Sequence, residues 1–427
     1  PEFLEKRYSS ASRTFVAFMA LAAALFIHIG MSLYAGAAVF QQFFGIDVFV
    51  SIFVISLMTL LYTVLGGLRA VVVTETIQSG ILVLGAITVT LCALWALPEH
   101  GIHTVAEFKS SLRPNQLSMF HMDSSVGLSW YAVLLGCPVL AIWYWCTDQT
   151  IVQRVLAARS ERDAQLGPLF AGCLKILPVF FMVFPGVVGY VLFKDVIGSD
   201  SNQTLPVLIN ELVPTGLRGL ISAGILAALM STIAAALNSS GTLVATDIVK
   251  RFKPNISDKK QVQVGRISSV VIMLLAMLWS TQGGKYSSIF EAINTIAAHI
   301  APPITAVFLW GVLWRRGTKQ ASIFTLSIGF FLGVVSFLLD FPVIGSQKLI
   351  TEILGIHFMM QAWWMFCLCS GVFFLVSWAT PPPPAEAVEG ITWKSPLAVI
   401  RQGKWDRLTD PRGLAGILFI TLIMLYY

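Results

Sequence analysis

Charge is scarce in this 427-residue sequence: Asp, Glu, Lys and Arg make up 12% of it, about half the roughly 25% of soluble globular domains. That shortage, beside a hydrophobic share of 56%, excludes an ordinary water-soluble domain. Cysteine is sparse too. All six, Cys92, Cys137, Cys146, Cys173, Cys367 and Cys369, fall inside apolar runs, which leaves no disulfide framework and no zinc spacing. There is no phosphate-cradling glycine loop, no Ser-His-Asp arrangement and no metalloenzyme pattern, so nothing in the sequence argues for an enzyme or a bound cofactor. No signal peptide opens it, internal repeats of roughly 20 to 50 residues are lacking, and no connection is long enough to fold alone.

What the sequence has is apolar length. Eleven stretches lie near 14–44, 47–65, 70–97, 126–148, 168–193, 216–246, 267–282, 288–314, 321–340, 353–379 and 413–427, where about 20 residues cross a bilayer as a helix. Continuous runs of this kind are not the ten-residue alternation of a barrel. The expected fold is therefore all-α and multi-span, one transmembrane domain over 1–427. Lys and Arg test the count, because they gather on the cytoplasmic side. One alternating set of connections holds 21 of the 28, including Arg69, Arg154, Arg401, Lys404 and Arg407; the other holds six, and Lys175 lies in neither. The net charge of +6 thus follows topology and implies no nucleic-acid partner; lipid is the expected surroundings, in a cell membrane, with the short loops favouring a bacterial inner membrane. Residues 380–412, with "TPPPPAEAVEG", read as a cytoplasmic linker before the last helix.

Three spans carry interruptions: Gly136-Cys137-Pro138, Pro178 with Pro185-Gly186, and Pro302-Pro303. Such breaks in transporters mark substrate and ion sites, although a plain kink is the alternative. Lys175 sits about eight residues inside its span, roughly 12 Å deep. An ammonium there costs several kcal/mol unless it is paired, faces a wet cavity or snorkels to the interface. Upstream, "WYWCTDQTIVQR" sets Trp143, Tyr144 and Trp145 before Asp148, Gln149, Gln153 and Arg154, either a platform for a sugar ring or an interfacial aromatic belt. "AGILAALMSTIAAALNSS" offers the Ala228 carbonyl with the Ser231 and Thr232 hydroxyls, either close helix packing or the oxygen ligands that hard cations prefer. Glu75 lies beside a cation path or at the interface, Asn294 precedes the double proline, and His299 reads as packed.

Taken in order, "PEFLEKRY", "YTVLGGLRAVVVTETIQSG", "WYWCTDQTIVQR", "LKILPVFFMVFPG", "GLRGLISAGILAALMSTIAAALNSS", "TDIVKRF" and "IAPPITAVFLWG" make the chain resemble the sodium/solute symporter family, in its sodium/glucose cotransporter branch. The resemblance implies a LeuT-like inverted-repeat architecture, with these eleven spans as family helices 3 to 13 and a beginning in mid-protein. It implies a sodium-coupled secondary active symporter of a hexose of the glucose or galactose type. In that frame Lys175 falls on the sugar-binding lysine, Tyr144 on the aromatic inner gate with Trp145 beside it, and Ala228, Ser231 and Thr232 on the sodium ligands. Glu75 falls where the family usually has an aspartate, placed on the sodium path or at a second sodium site. Two departures bear on cargo: Asn294 stands where sugar members usually have glutamine, and Ala141 where they have a polar residue. Myo-inositol or another small solute, such as a monocarboxylate, an amino acid or sialic acid, is therefore the alternative. Ala234 and Ala235 lack the hydroxyls of members with a second sodium site, which implies one sodium per sugar.

Overall fold

The computed structural model describes residues 1–427 except 115, 119–120, 123–126, 199, 342–347, 396–409 and 427, together with the side chains of 65–72 and 425–426. Arg69's side chain and Arg401, Lys404 and Arg407, used in the charge count, lie outside the described residues. Among those described, nine helices are long and apolar enough to cross a membrane, and two shorter apolar helices, Val48–Val64 and Pro411–Met424, accompany them. Together they correspond to the eleven expected stretches.

In chain order the principal helices are α1 (Ser10–Phe44), α2 (Val48–Ala96), α3 (Trp130–Thr147), α4 (Gln149–Leu156), α5 (Glu161–Ile197) and α6 (Thr204–Leu212). There follow α7 (Thr215–Phe252), α8 (Asp258–Lys285), α9 (Ile289–Leu313), α10 (Lys319–Asp340), α11 (Phe358–Ala379) and α12 (Pro411–Tyr426). Small polar residues cap six of them. The side chains of Ser9, Asp47, Asp148, Ser160, Ser288 and Thr318 each accept a hydrogen bond from a backbone N–H of the first turn, satisfying donors that no helical carbonyl reaches.

Three expectations about breaks are corrected. Spans 47–65 and 70–97 belong to one helical element, α2. The only break signal between them, Gly66-Gly67, costs a helix about 1 kcal/mol per residue but removes no backbone donor. Pro302-Pro303 likewise leaves α9 continuous. Gly136-Cys137-Pro138 also lies within a continuous α-helical stretch, Trp130–Ile142, and α3 widens to a π turn only over Trp143–Thr147. The remaining interruption is visible, because α5 breaks at Lys175, with a π turn over Val179–Val183 behind Pro178. Proline lacks the N–H that would continue the ladder and disfavours the helical conformation just before it.

The helices pack as two groups. Helix α9, the most enclosed span, with 72% of its apolar window buried, packs against α3, α10 and α11; α7 packs against α2, α1 and α8. Glycine permits the tightest crossings. A Cβ at Gly136 would lie 2.1 Å from the Met359 carbonyl oxygen, and one at Gly333 would lie 2.2 Å from that of His299. Helix α1 joins the groups, placing Ile27 in one hydrophobic core and Ile29 in the other. Residue 28 between them therefore lies at the seam.

Candidate functional site

The site is built where α1, α2, α3, α4 and α7 meet. The π turn after Pro138 carries the aromatic run, and Asp148 ends it as the N-cap of α4. A cavity of about 200 Å³ opens beside it, lined by His28, Glu75, Ser79, Tyr144, Thr150, Ile151, Arg154, Ser231, Thr232 and Ala235. Four expected site residues, Glu75, Tyr144, Ser231 and Thr232, thus share one hollow.

The three expected sodium ligands occupy one turn of α7. The Ser231 hydroxyl donates to the Ala228 carbonyl at 2.8 Å and the Thr232 hydroxyl donates to the same oxygen at 3.2 Å. With both protons turned to that carbonyl, the hydroxyl lone pairs are the groups free to meet a cation. Ala228 itself lines a neighbouring, more apolar hollow of about 470 Å³ with Thr232, Pro185 and Gly186, so Thr232 forms part of the wall between the two. Glu75 accepts from Arg154 across 2.7 Å, a pairing that the sequence reading did not foresee.

Lys175 caps the first half of α5, its N–H bonded to the Ala171 carbonyl at 3.0 Å. Its ammonium stands 4.8 Å from the Trp145 ring centre and 5.8 Å from that of Tyr144, within cation–π range. The two rings meet edge-on at 5.3 Å. The lysine is exposed and does not line the Tyr144 cavity; it approaches the aromatic pair without entering that hollow. Asn294 is not brought to the cavity either. Its amide donates to the Phe290 carbonyl of its own helix at 2.8 Å. His299 is packed, 4% exposed, with Nδ1 on the Thr295 carbonyl at 2.6 Å.

The sequence reading missed His28. Its Nε2 lies 2.7 Å from Asp148 Oδ2, and its ring is nearly parallel to Trp143 with centres 6.2 Å apart. The signal was available: an imidazole in the middle of an apolar run calls for a partner by the same argument that singled out Lys175. A separate hollow of about 500 Å³ between α2, α7 and α8 holds Asp258 and Arg266 but none of the expected site residues.

The helical bundle, with a polar hollow at its seam, defines a multi-pass membrane protein. The chain belongs to the sodium:solute symporter family, whose profile it matches over residues 1–333. It is 33% identical to a sodium/mannose cotransporter of Bos taurus, over 92% of this chain and 72% of that protein. It is 32% identical to sodium/myo-inositol cotransporter 2 of the same animal, over 92% of this chain and 64% of that protein. The chain thus spans between about three fifths and three quarters of the length of these relatives. Among solved structures it superposes on a Na+-coupled sialic acid symporter in a substrate-bound outward-open state, with a TM-score of 0.65 and 21% identity over 89% of this chain and 77% of that one. That likeness carries the LeuT-like helical fold. The family and the relatives are transporters, not enzymes.

Proposed function

We propose that the protein to which this chain belongs is a sodium-coupled secondary active symporter of a sugar or polyol, with a hexose as the cargo and one sodium carried per sugar. The single observation that supports this best is the cavity in which the Tyr144 ring, the Ser231 and Thr232 hydroxyls and the Glu75 carboxylate face one space. An aromatic face suits the apolar C–H side of a sugar, and hard oxygen ligands suit sodium. Relatives that carry mannose and myo-inositol fit the same class of polyhydroxylated cargo. Within it, Lys175, Tyr144, Trp145 and Asn294 are assigned to the solute; Ala228, Ser231 and Thr232 are assigned to sodium, with Glu75 on its path. The exposed Lys175 and the self-bonded Asn294 require a solute, or a closing motion, to bring them to the cavity.

The energetics suit one sodium. A charge crossing about 100 mV supplies about 2.3 kcal/mol, and a tenfold sodium gradient about 1.4 more. That sum holds a solute gradient of several hundred-fold. By linkage, sodium and solute raise each other's affinity by the same factor.

Uptake of labelled glucose, galactose, mannose and myo-inositol by the complete protein, with and without sodium, tests the reading. Concentrative uptake that requires sodium and falls in Ser231→Ala supports it. A solute affinity indifferent to sodium overturns it, and preference for myo-inositol over every hexose replaces the cargo.

A further inference from the structure

His28 presents two ring nitrogens with different surroundings. Nε2 is taken by Asp148 Oδ2 at 2.7 Å. The other carboxylate oxygen, Oδ1, accepts from the Thr150 amide at 2.8 Å and from the Thr150 hydroxyl at 2.5 Å, which fixes the carboxylate in place. An ionised carboxylate can only accept. In the neutral imidazole the proton is therefore held on Nε2, and Nδ1 is left as an acceptor. The ring lines the cavity with Tyr144, Ser231 and Thr232 and is 12% exposed, so Nδ1 is the nitrogen available to a guest. Of the other charged groups there, Glu75 and Arg154 face each other across 2.7 Å and offset one another.

We propose that His28 is a specificity-determining residue of the solute cavity: its Nδ1 accepts the O–H of one hydroxyl of a polyhydroxylated solute, and Asp148 is the positioning residue that fixes the tautomer. The proposal rests on the assignment of this cavity to a sugar or polyol. It adds a relay of Thr150 to Asp148 to His28 to solute, in which the N-terminus of α4 is coupled to cargo through one carboxylate.

The geometry makes Asp148→Asn informative. The Thr150 amide only donates, so it retains the amide oxygen of the new side chain and turns the NH2 group toward His28. Nε2 must then accept, and the ring proton moves to Nδ1, which becomes a donor. The measurement is sodium-dependent uptake by the complete protein of glucose and myo-inositol with their monodeoxy and monofluoro-deoxy analogues. A deoxy position has neither donor nor acceptor, whereas fluorine keeps a weak acceptor. For the unaltered protein, both analogues at one ring position should show about fivefold to tenfold weaker apparent affinity, the worth of one hydrogen bond. His28→Phe keeps a ring against Trp143 and should level parent and analogues at that position. Asp148→Asn should separate the fluoro from the deoxy analogue in favour of fluorine. If both variants change the uptake of every analogue by the same factor, the His28–Asp148 pair is a structural tie and the proposal fails alone. If the unaltered protein shows no sodium-dependent uptake of any panel member, the assignment of the cavity fails with it.

Discussion

The Glu75 carboxylate on α2 lies 2.7 Å from the Arg154 guanidinium on α4, with side-chain exposures of 17% and 35%, and both line the hollow that holds Ser231 and Thr232. The pair spans two helices and borders the expected sodium ligands. If Glu75 lies on the ion's path, Glu75→Gln raises the sodium concentration for half-maximal uptake by about fivefold, equivalent to roughly 1 kcal/mol. A pair that only ties α2 to α4 gives a different result: a double-mutant cycle with Arg154→Met returns a coupling of up to about 1 kcal/mol in stability, and sodium dependence stays as it was.

Lys175 stands over Trp145 at 4.8 Å. Removing its charge in Lys175→Ala is expected to raise the half-saturating sugar concentration about tenfold, the worth of a charged hydrogen bond, while sodium binding measured without sugar is unchanged. Unaltered sugar affinity in this variant would show the ammonium serving the membrane interface instead.

Arg7, 4% exposed, donates to the carbonyls of Gly311, Trp314, Arg315 and Gly317 at 3.0 to 3.3 Å. These lie at and just beyond the C-terminal end of α9, where unpaired carbonyls attract a cation. Arg7→Ala should lower stability by roughly 2–4 kcal/mol, read as the thermal midpoint of the purified protein. Arg7→Lys should recover only part of the loss, because an ammonium lacks the fork of donors that reaches several carbonyls together. A full recovery with lysine would assign the effect to charge alone.

Gly136 permits α3 to cross α11, since a Cβ would lie 2.1 Å from the Met359 carbonyl oxygen. Gly136→Ala should therefore cost about 1–3 kcal/mol. In the same helix pair, Gly371 has nothing within 4 Å of an added Cβ, so Gly371→Ala should stabilise by up to about 1 kcal/mol. Equal midpoints for the two variants would refute the close crossing.

Several features were legible residue by residue. Apolar length and the Lys/Arg asymmetry gave the spans, because hydrocarbon admits no unpaired backbone and the charge bias follows the membrane's sides. The clustering of Ala228, Ser231 and Thr232 was also legible, because spacings of three and four residues lie on one face of a helix whatever surrounds it. Pro178 lacks the N–H that would bond the carbonyl four residues before it, and α5 breaks at Lys175 just upstream; Pro138 leaves the helix around it unbroken. Pro302-Pro303 did not break α9, which shows that packing against α3, α10 and α11 overrode the same local signal.

The sequence by itself determined that this chain is a bundle of membrane helices with a small-residue, hydroxyl-bearing turn, since burial of apolar runs and side-chain periodicity are local properties. Only the tertiary structure decided which polar groups meet: Glu75 with Arg154, 79 residues apart, and His28 with Asp148, 120 residues apart. Partnership of that kind depends on how helices cross and rotate, and a sequence without a register between helices does not contain it.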